Sequence, residues 1–309
     1  MRILQINEAL AEPLASGFAS FERAFTYPLG GSRRFTICHS NDPSRFFRAL
    51  GEGLSFLALD GERVVGCISG SIRTLLSPDN IEEKVLYVGD LKVATDVRVG
   101  RVLILLAQAL FDWASPKTKM AFAIVMEGSN ALPERYTGRL GIPRFDYQSE
   151  VSILRFDIWS IETVSGRTFK QTKGLAINQP SWRTPLGNVG LRSVDAPVQI
   201  HNSEGNASAL LEDTELAKQL VDIESGPMRS AHLSAIDISS LSELGELCQK
   251  AIFVAHTQNK QHLFLSLPLR LSGPFLQSWR GPQPLVASAR VYTHNINHQA
   301  DWWVNTAEI

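Results

Sequence analysis

Residues Thr95 to Leu106 read TDVRVGRVLILL, a loop with two arginines and a glycine that runs into an apolar helix. A strand that feeds a helix leaves the helix's first backbone N–H groups without partners. Those groups and the helix dipole attract an anion, phosphate above all. Gly100 lets a ligand come close to the backbone, and Arg98 and Arg101 add positive charge around it. The chemistry that fits is the binding of a pyrophosphate. The plainer reading is an ordinary strand-to-helix turn with solvated arginines, the commoner fate of so short a motif.

Other reactive residue types carry less. HNINH spaces His294 and His298 four apart, and HTQNKQH adds His256 and His262. That spacing holds a metal only on a helix, whereas VYTHNINHQ reads as a strand leaving into a loop, so no metal site is expected. In DWWVN the adjacent tryptophans should face opposite sides of a strand, one toward the core and one toward an interface. Cys38, Cys67 and Cys248 are odd in number, far apart and without a CxxC pair, which argues against a disulfide framework and for a reducing compartment.

The elements around the loop follow from periodicity. Arg2 to Ile6 alternate as a first strand. PLASGFASFERAFTYPL has helical spacing with Phe18, Phe21 and Phe25 on one side. DPSRFFRAL suggests a short helix capped by Asp42 with Pro43 at its first position. Two β-rich runs flank Asp60-Gly61, a hairpin signal. EKVLYVGDLKV is a strand, and a helix from about Gly100 to Ala114 ends at Ser115-Pro116. MAFAIVME is a buried strand, NALPERYTGRLGI a short helix closed by Gly141, and SEVSILRFDI a further strand. The strand–helix–strand portion needs a crossover, so part of the sheet should be parallel. A Gly-, Pro-, Ser- and Thr-rich seam between about Ser160 and Gly190 suggests a linker. Beyond it NVGLRSV, SAHLSAIDI, HLFLSLPL and PLVASARVYTHNI read as strands, with helices at SELGELCQKAIFVAHT and GPFLQSWRG. The order from SAHLSAIDI onward repeats the order from KVLYVGDLKV onward, a weak internal repeat of pattern rather than identity.

A chain of 309 residues suits two domains. Its net charge of −1 gives no electrostatic case for nucleic acid or an anionic membrane as main partner. The first residues carry acidic side chains and no long apolar run, so no signal peptide is expected. VLILLAQALFDWA is too short for a span and contains Gln108 and Asp112; it reads as a buried helix. The expected location is cytoplasmic.

DLKVATDVRVGRVLILLAQAL resembles the acyl-CoA-binding segment of the GNAT superfamily of N-acetyltransferases. There a strand runs to a valine, and a loop Arg/Gln-x-x-Gly-x-Gly/Ala opens a helix and holds the pyrophosphate of coenzyme A. Val93 matches the valine and Arg98 the Arg/Gln, and the following helix repeats apolar residues at Val102, Leu105, Leu106 and Leu110. Arg101 stands at the first glycine position, Leu103 at the second, and Gly100 falls one place early; the loop's amides remain. RVVGCISGSI is similar to the family's second and third strands. AIVMEGSNALPERYTGRLGI is similar to its fifth strand and fourth helix, with Asn130 at the helix start and Gly141-Ile142 at the Gly-Phe pair. The likeness covers most of residues 1 to 157.

The resemblance implies a tandem GNAT-like acyl-CoA N-acyltransferase fold, α/β with a central mixed sheet flanked by helices in each half. Residues 1–160 would be the acyl-CoA-binding domain, and 161–309 a linker plus a degenerate GNAT-like domain. Acyl transfer from a thioester needs a neutral amine, an oxyanion donor and an acid for the leaving thiolate. The oxyanion donor would be a backbone amide in Leu91, Lys92 or Val93, where the fourth strand parts from the fifth. Arg98, Val99, Gly100, Arg101, Val102, Leu103 and Asn130 would hold the donor. Tyr136, one residue nearer Asn130 than the family's tyrosine, would be the acid, with Thr137 in the usual place; alternatively Tyr136 packs in the core. Asp90 is the candidate base, with Tyr87 and Glu127 near it in pattern. The implied co-substrate is acetyl-CoA or another acyl-CoA, with no metal. The implied acceptor is a primary amine on a small molecule or peptide, with no nucleic acid or membrane partner and homodimerisation left open. A long-chain N-acyl amino acid synthase-like enzyme and a non-catalytic coenzyme A sensor are the alternatives. In the second half ISSLSELGEL occupies the equivalent loop without an arginine and with Glu243 and Glu246 in the first turns, so one donor per chain is expected.

Overall fold

The computed structural model describes residues 1–28, 33–129, 132–158, 177, 179–297 and 299–309. The chain opens with β1 (Arg2–Ile6), α1 (Leu14–Glu22), β2 (Tyr27–Pro28), β3 (Arg34–Cys38) and α2 (Arg45–Leu50). The strands β4 (Glu52–Asp60), β5 (Arg63–Leu76) and β6 (Glu82–Val93) form an antiparallel meander. Asp60-Gly61 turns the first hairpin, with Gly61 in the left-handed region at φ 61° that glycine adopts without cost. Then come α3 (Val99–Ala114), β7 (Ala121–Met126) and β8 (Asp146–Asp157). The second half contributes β9 (Ser181–Arg183), β10 (Val198–His201), β11 (Ser208–Glu212), β12 (Gln219–Asp222), β13 (Gly226–Met228) and β14 (Ser230–Asp237). It ends with α4 (Leu241–Thr257), β15 (His262–Pro268), α5 (Leu269–Ser278), β16 (Leu285–His294) and β17 (Asp301–Trp303).

One mixed sheet runs through both halves in the order β1-β4-β5-β6-β7-β16-β8-β15-β14-β11-β10. The expected crossover is present, with β6 and β7 parallel around α3, and a second one has β14 and β15 parallel around α4. The strands that close each side are exchanged. β16, from the end of the chain, pairs with β7, while β8, from the first half, pairs with β15. The two exchanged strands pair with each other at the centre. A second, small sheet, β13-β12-β3-β2, also joins the halves through the β12–β3 pair.

The helix α3 packs on β4–β6 through Val102, Leu106 and Leu110, all fully buried. Each such side chain contributes about 1.5–3 kcal/mol. Close packing depends on Gly66 and Gly70 of β5: a methyl at Gly66 would lie 2.7 Å from Val102 Cγ1, and one at Gly70 2.7 Å from Leu110 Cδ1. The opposite face of this part of the sheet carries α1, over Leu57 and Leu59, and α2, whose Phe46 and Phe47 join Tyr87 and Phe122. In the second half α4 and α5 cover β14, β15 and β8.

Three expectations need correction. The described part of NALPERYTGRLGI, from Leu132 on, is not an α-helix: Pro133–Arg135 form a 3-10 turn, and Gly138, Leu140 and Gly141 take positive φ, which breaks any helical run after it. NVGLRSV is not a strand but contains the 3-10 turn Val189–Leu191. It is tied down by Arg192, which is buried in ion pairs to Glu212 and Glu308. The α2 helix is capped at Ser44 rather than Asp42, whose carboxylate accepts from Ser44 Oγ at 2.7 Å. Most of the expected linker, 160–176, lies outside the described residues; its last part includes β9, which pairs with β17. No helix among the described residues is long and apolar enough to cross a membrane.

Candidate active site at the bulge of β6

The strand β6 leaves the sheet on one side only. It pairs with β7 at three positions, Leu86–Ala121, Tyr87–Phe122 and Val88–Ala123. Beyond Val88 it continues to Val93 beside β5, while β7 continues to Met126 beside β16. The two parallel strands therefore splay apart. The gap is flanked by the half-buried apolar residues Val88, Leu91, Val125 and, after β7, Leu132.

A bulge lies at the mouth of this gap. Ser69 pairs with Gly89 and Cys67 with Lys92, so Asp90 and Leu91 oppose one residue of β5. Asp90 sits at φ 53°, a left-handed conformation costly for a non-glycine residue and frequent at functional sites. Its carbonyl accepts from Cys67 Sγ at 3.0 Å.

The Asp90 side chain enters a buried charge cluster. His39 Nε2 lies 3.2 Å from Asp90 Oδ2, and Lys92 Nζ lies 3.3 Å from Asp90 Oδ1. Behind them Glu22 Oε1 accepts from His39 Nδ1 at 2.8 Å and from Lys92 Nζ at 2.9 Å, and Glu22 Oε2 accepts from the His39 backbone N–H at 2.9 Å. Glu22, His39 and Lys92 side chains are 1% exposed, Asp90 12%. Burial raises the Glu22 pKa, but His39 and Lys92 outweigh it and bring it from 4.5 to about 2. Burial works against the Lys92 charge, yet Asp90, Tyr27 and Glu22 hold its pKa well above the usual lysine value. Glu22, His39 and Asp90 are near enough to share a metal ion, but the Lys92 ammonium already supplies the cation between the carboxylates.

Across the gap, α3 begins beside the loop. Arg98 is its N-cap and makes no side-chain cap bond, and its first turn holds no acidic residue. Arg98, Val99, Gly100 and Arg101 are exposed, and a methyl at Gly100 would meet open space. The first turn is thus open to an incoming anion. The start of α4 is closed instead. Ser240 Oγ accepts from the Glu243 N–H, and the Glu243 carboxylate accepts from the N–H groups of Ser239 and Ser240.

Nearly the whole chain superposes on Saccharomyces cerevisiae N-myristoyltransferase with bound myristoyl-CoA: 99% of this chain and 87% of that one, at TM-score 0.60 and 10% identity. The chain has the fold of N-myristoyltransferase. A second structure of that enzyme with bound myristoyl-CoA gives TM-score 0.58 at 10% identity, over 100% of this chain and 83% of that one. The architecture is therefore the mixed-sheet GNAT fold. No protein-family model matches the sequence, and no curated protein matches it.

Within the N-myristoyltransferase fold the residues singled out from sequence fall into two groups. Leu91 and Val93 are half-buried at the gap, and Arg98 to Leu103 form the open helix start, with Val102 in the core and Leu103 half-buried. Lys92 belongs to this stretch by its backbone only, since its side chain turns away into the charge cluster. Asp90 stands at the bulge. Tyr136 ends the 3-10 turn, half-buried on the α3 face near Tyr292, and burial, then Tyr292, raises its pKa to about 12. Thr137 is occupied: its hydroxyl donates to the Pro133 carbonyl at 2.8 Å and accepts from the Phe145 N–H at 3.0 Å. Tyr87 is buried between Phe47 and Phe122, and burial followed by Asp90 raises its pKa beyond use as a base. Glu127 is exposed past the end of β7. Asn130 and His298 lie outside the described residues. His262 pairs with Asp157 and His294 with the Arg144 carbonyl, so these histidines serve separate contacts. Trp302 is buried and Trp303 half-buried, as alternation requires. Sequence reasoning did not find Glu22 and His39. A carboxylate at position 22, on the same helix side as Phe18 and Phe25, was the available signal.

Proposed function

We propose that the protein is an acyl-CoA-dependent N-acyltransferase, moving an acetyl group in the first instance to a primary amine. The observation that carries this reading is the splay of β6 from β7 beside the uncapped start of α3. The apolar residues flanking the splay would take the pantetheine and acyl chain, and the open start of α3 would take the pyrophosphate. Amides of Leu91 to Val93 would face the thioester oxygen as it gains charge. Asp90 would accept the proton of the acceptor ammonium on the α1–α2 face. Tyr136, protonated throughout the neutral range, would give its proton to the leaving thiolate on the α3 face. The parallel pair β14–β15 around α4 supports a degenerate GNAT-like repeat in the second half, completed by β8 rather than bounded at residue 161, and the closed start of α4 supports one donor per chain.

A long acyl chain is the second reading, favoured by the likeness to a chain holding myristoyl-CoA. Both are tested by following free thiol release from acetyl-CoA and myristoyl-CoA with a panel of free amino acids, polyamines and short peptides. Amine-dependent release from either donor supports acyl transfer, and the better donor fixes the chain length. Binding without release from any pair would favour a coenzyme A sensor.

A further inference from the structure

The charge cluster fixes where a proton can reside. Glu22, held ionised, only accepts, and it takes both the Nδ1 and the backbone N–H of His39. Nδ1 must therefore carry hydrogen in every state of the ring. The position free to gain or lose a proton is Nε2, which is buried without a hydrogen-bond partner and lies 3.2 Å from Asp90 Oδ2, within reach of one after a small turn of either side chain. Asp90 is the most exposed member of the cluster, turned back toward it by the bulge. A proton arriving from outside thus meets Asp90 first and His39 second.

We propose that His39 is a positioning residue that stores, behind Asp90, the proton removed from the acceptor ammonium. This rests on the acyl-transfer reading above. One ammonium N–H bond breaks, its electron pair stays on nitrogen, and the proton passes by way of Asp90 to His39 Nε2. The neutral amine then forms the C–N bond at the thioester carbon and the C–S bond breaks with its pair on sulfur. Tyr136 protonates that sulfur and is refilled by the second proton leaving the attacking nitrogen. The proton on His39 returns to water through Asp90, so one proton is released per turnover. The resulting imidazolium faces the Asp90 carboxylate and balances two anions, Glu22 and Asp90, with two cations, His39 and Lys92.

The groups facing this site from the packed elements are Glu22 and, on β2 and β3, Tyr27 and Cys38. On β5 and β6 they are Cys67, Asp90 and Lys92, and Lys218 stands over the Phe46 ring. Burial brings Lys218 down to about 8, so it is the competing group in the neutral range.

In protein labelled with 15N-histidine, the His39 signals are assigned by their loss in His39→Gln. Nδ1 should remain protonated throughout, and the ring's single midpoint should be read at Nε2. In Asp90→Asn that midpoint should fall, because the carboxylate that favours the cation is gone. Kinetics with acetyl-CoA and the best amine of the panel give the second arm. His39→Gln should lower kcat by about 10²-fold, leave acetyl-CoA affinity nearly unchanged, and lose the ascending limb of the kcat/KM pH profile. Lys218→Met should keep that limb. An equal His39 midpoint in wild type and Asp90→Asn, or an unmoved pH profile in an active His39→Gln, overturns the stored proton and leaves acyl transfer standing. Failure to bind or turn over any acyl-CoA overturns both.

Discussion

Tyr136 and Glu22, both proposed to serve acyl transfer, read very differently from sequence. The acid role proposed for Tyr136 rests on its distance from Asn130, and Phe in its place should lower turnover by about 10²-fold with donor affinity nearly unchanged, measured by steady-state kinetics and calorimetry. Equal turnover in both proteins would remove the acid role. Glu22 is legible only in three dimensions, because its partners lie at positions 39 and 92. Its pKa is lowered on folding, so the stability it contributes is fully present above its unfolded value of 4.5 and is lost as pH falls toward about 2. The shift corresponds to about 3 kcal/mol. In acid titrations monitored by circular dichroism, Glu22→Gln should be less stable at neutral pH, since it leaves His39 and Lys92 without their carboxylate. The difference from wild type should narrow as pH drops below about 4. A constant difference across that range would contradict the ion-pair account.

Among the elements, α3 and the hairpin were legible because both obey strong local rules: apolar spacing at Val102, Leu106 and Leu110, and Asp-Gly at the turn. The expected helix around Tyr136 failed because the glycines and Leu140 at positive φ outweighed its periodicity. The bulge of β6 shifts the alternation by one and puts Gly89 and Asp90 on the same face, but a glycine followed by a polar residue does not announce that shift in the sequence. The fit of α3 on β5 does have a signature in Gly66 and Gly70. Replacing Gly66 with Val puts side-chain carbons where Val102 and Leu106 now pack and should cost about 1–3 kcal/mol or more. Thermal melting should show a clear fall in Tm for Gly66→Val and a smaller one for Gly70→Ala, whose nearest neighbours are flexible leucine methyls. An unchanged Tm for Gly66→Val would mean that α3 does not sit as described.

At the scale of the whole molecule, the order of elements suggests a repeated pattern but carries nothing of the exchange of β8 and β16, because strand pairing across more than a hundred residues leaves no local trace. The exchange has a consequence for dissection. Residues 1–160 alone would lack β16 and expose the facing edges of β7 and β8, so they should aggregate or melt without cooperativity. Co-expression with residues 161–309 should restore a soluble complex. A monomeric, cooperatively folded 1–160 fragment would contradict the interleaved sheet. The proposed donor binding rests on an asymmetry of helix starts: α3 is open with Arg98 and Arg101 beside it, while the α4 amides are taken by Ser240 and Glu243. Each lost charge-assisted hydrogen bond is worth roughly 1.5–3 kcal/mol, so the second half should stay empty at concentrations that fill the first. Isothermal titration of the full chain with coenzyme A tests this most directly. We expect one site per chain, abolished by Gly100→Glu in a protein that melts like wild type, since a side chain at Gly100 meets open space. A stoichiometry of two, or affinity unchanged in Gly100→Glu, would contradict the account.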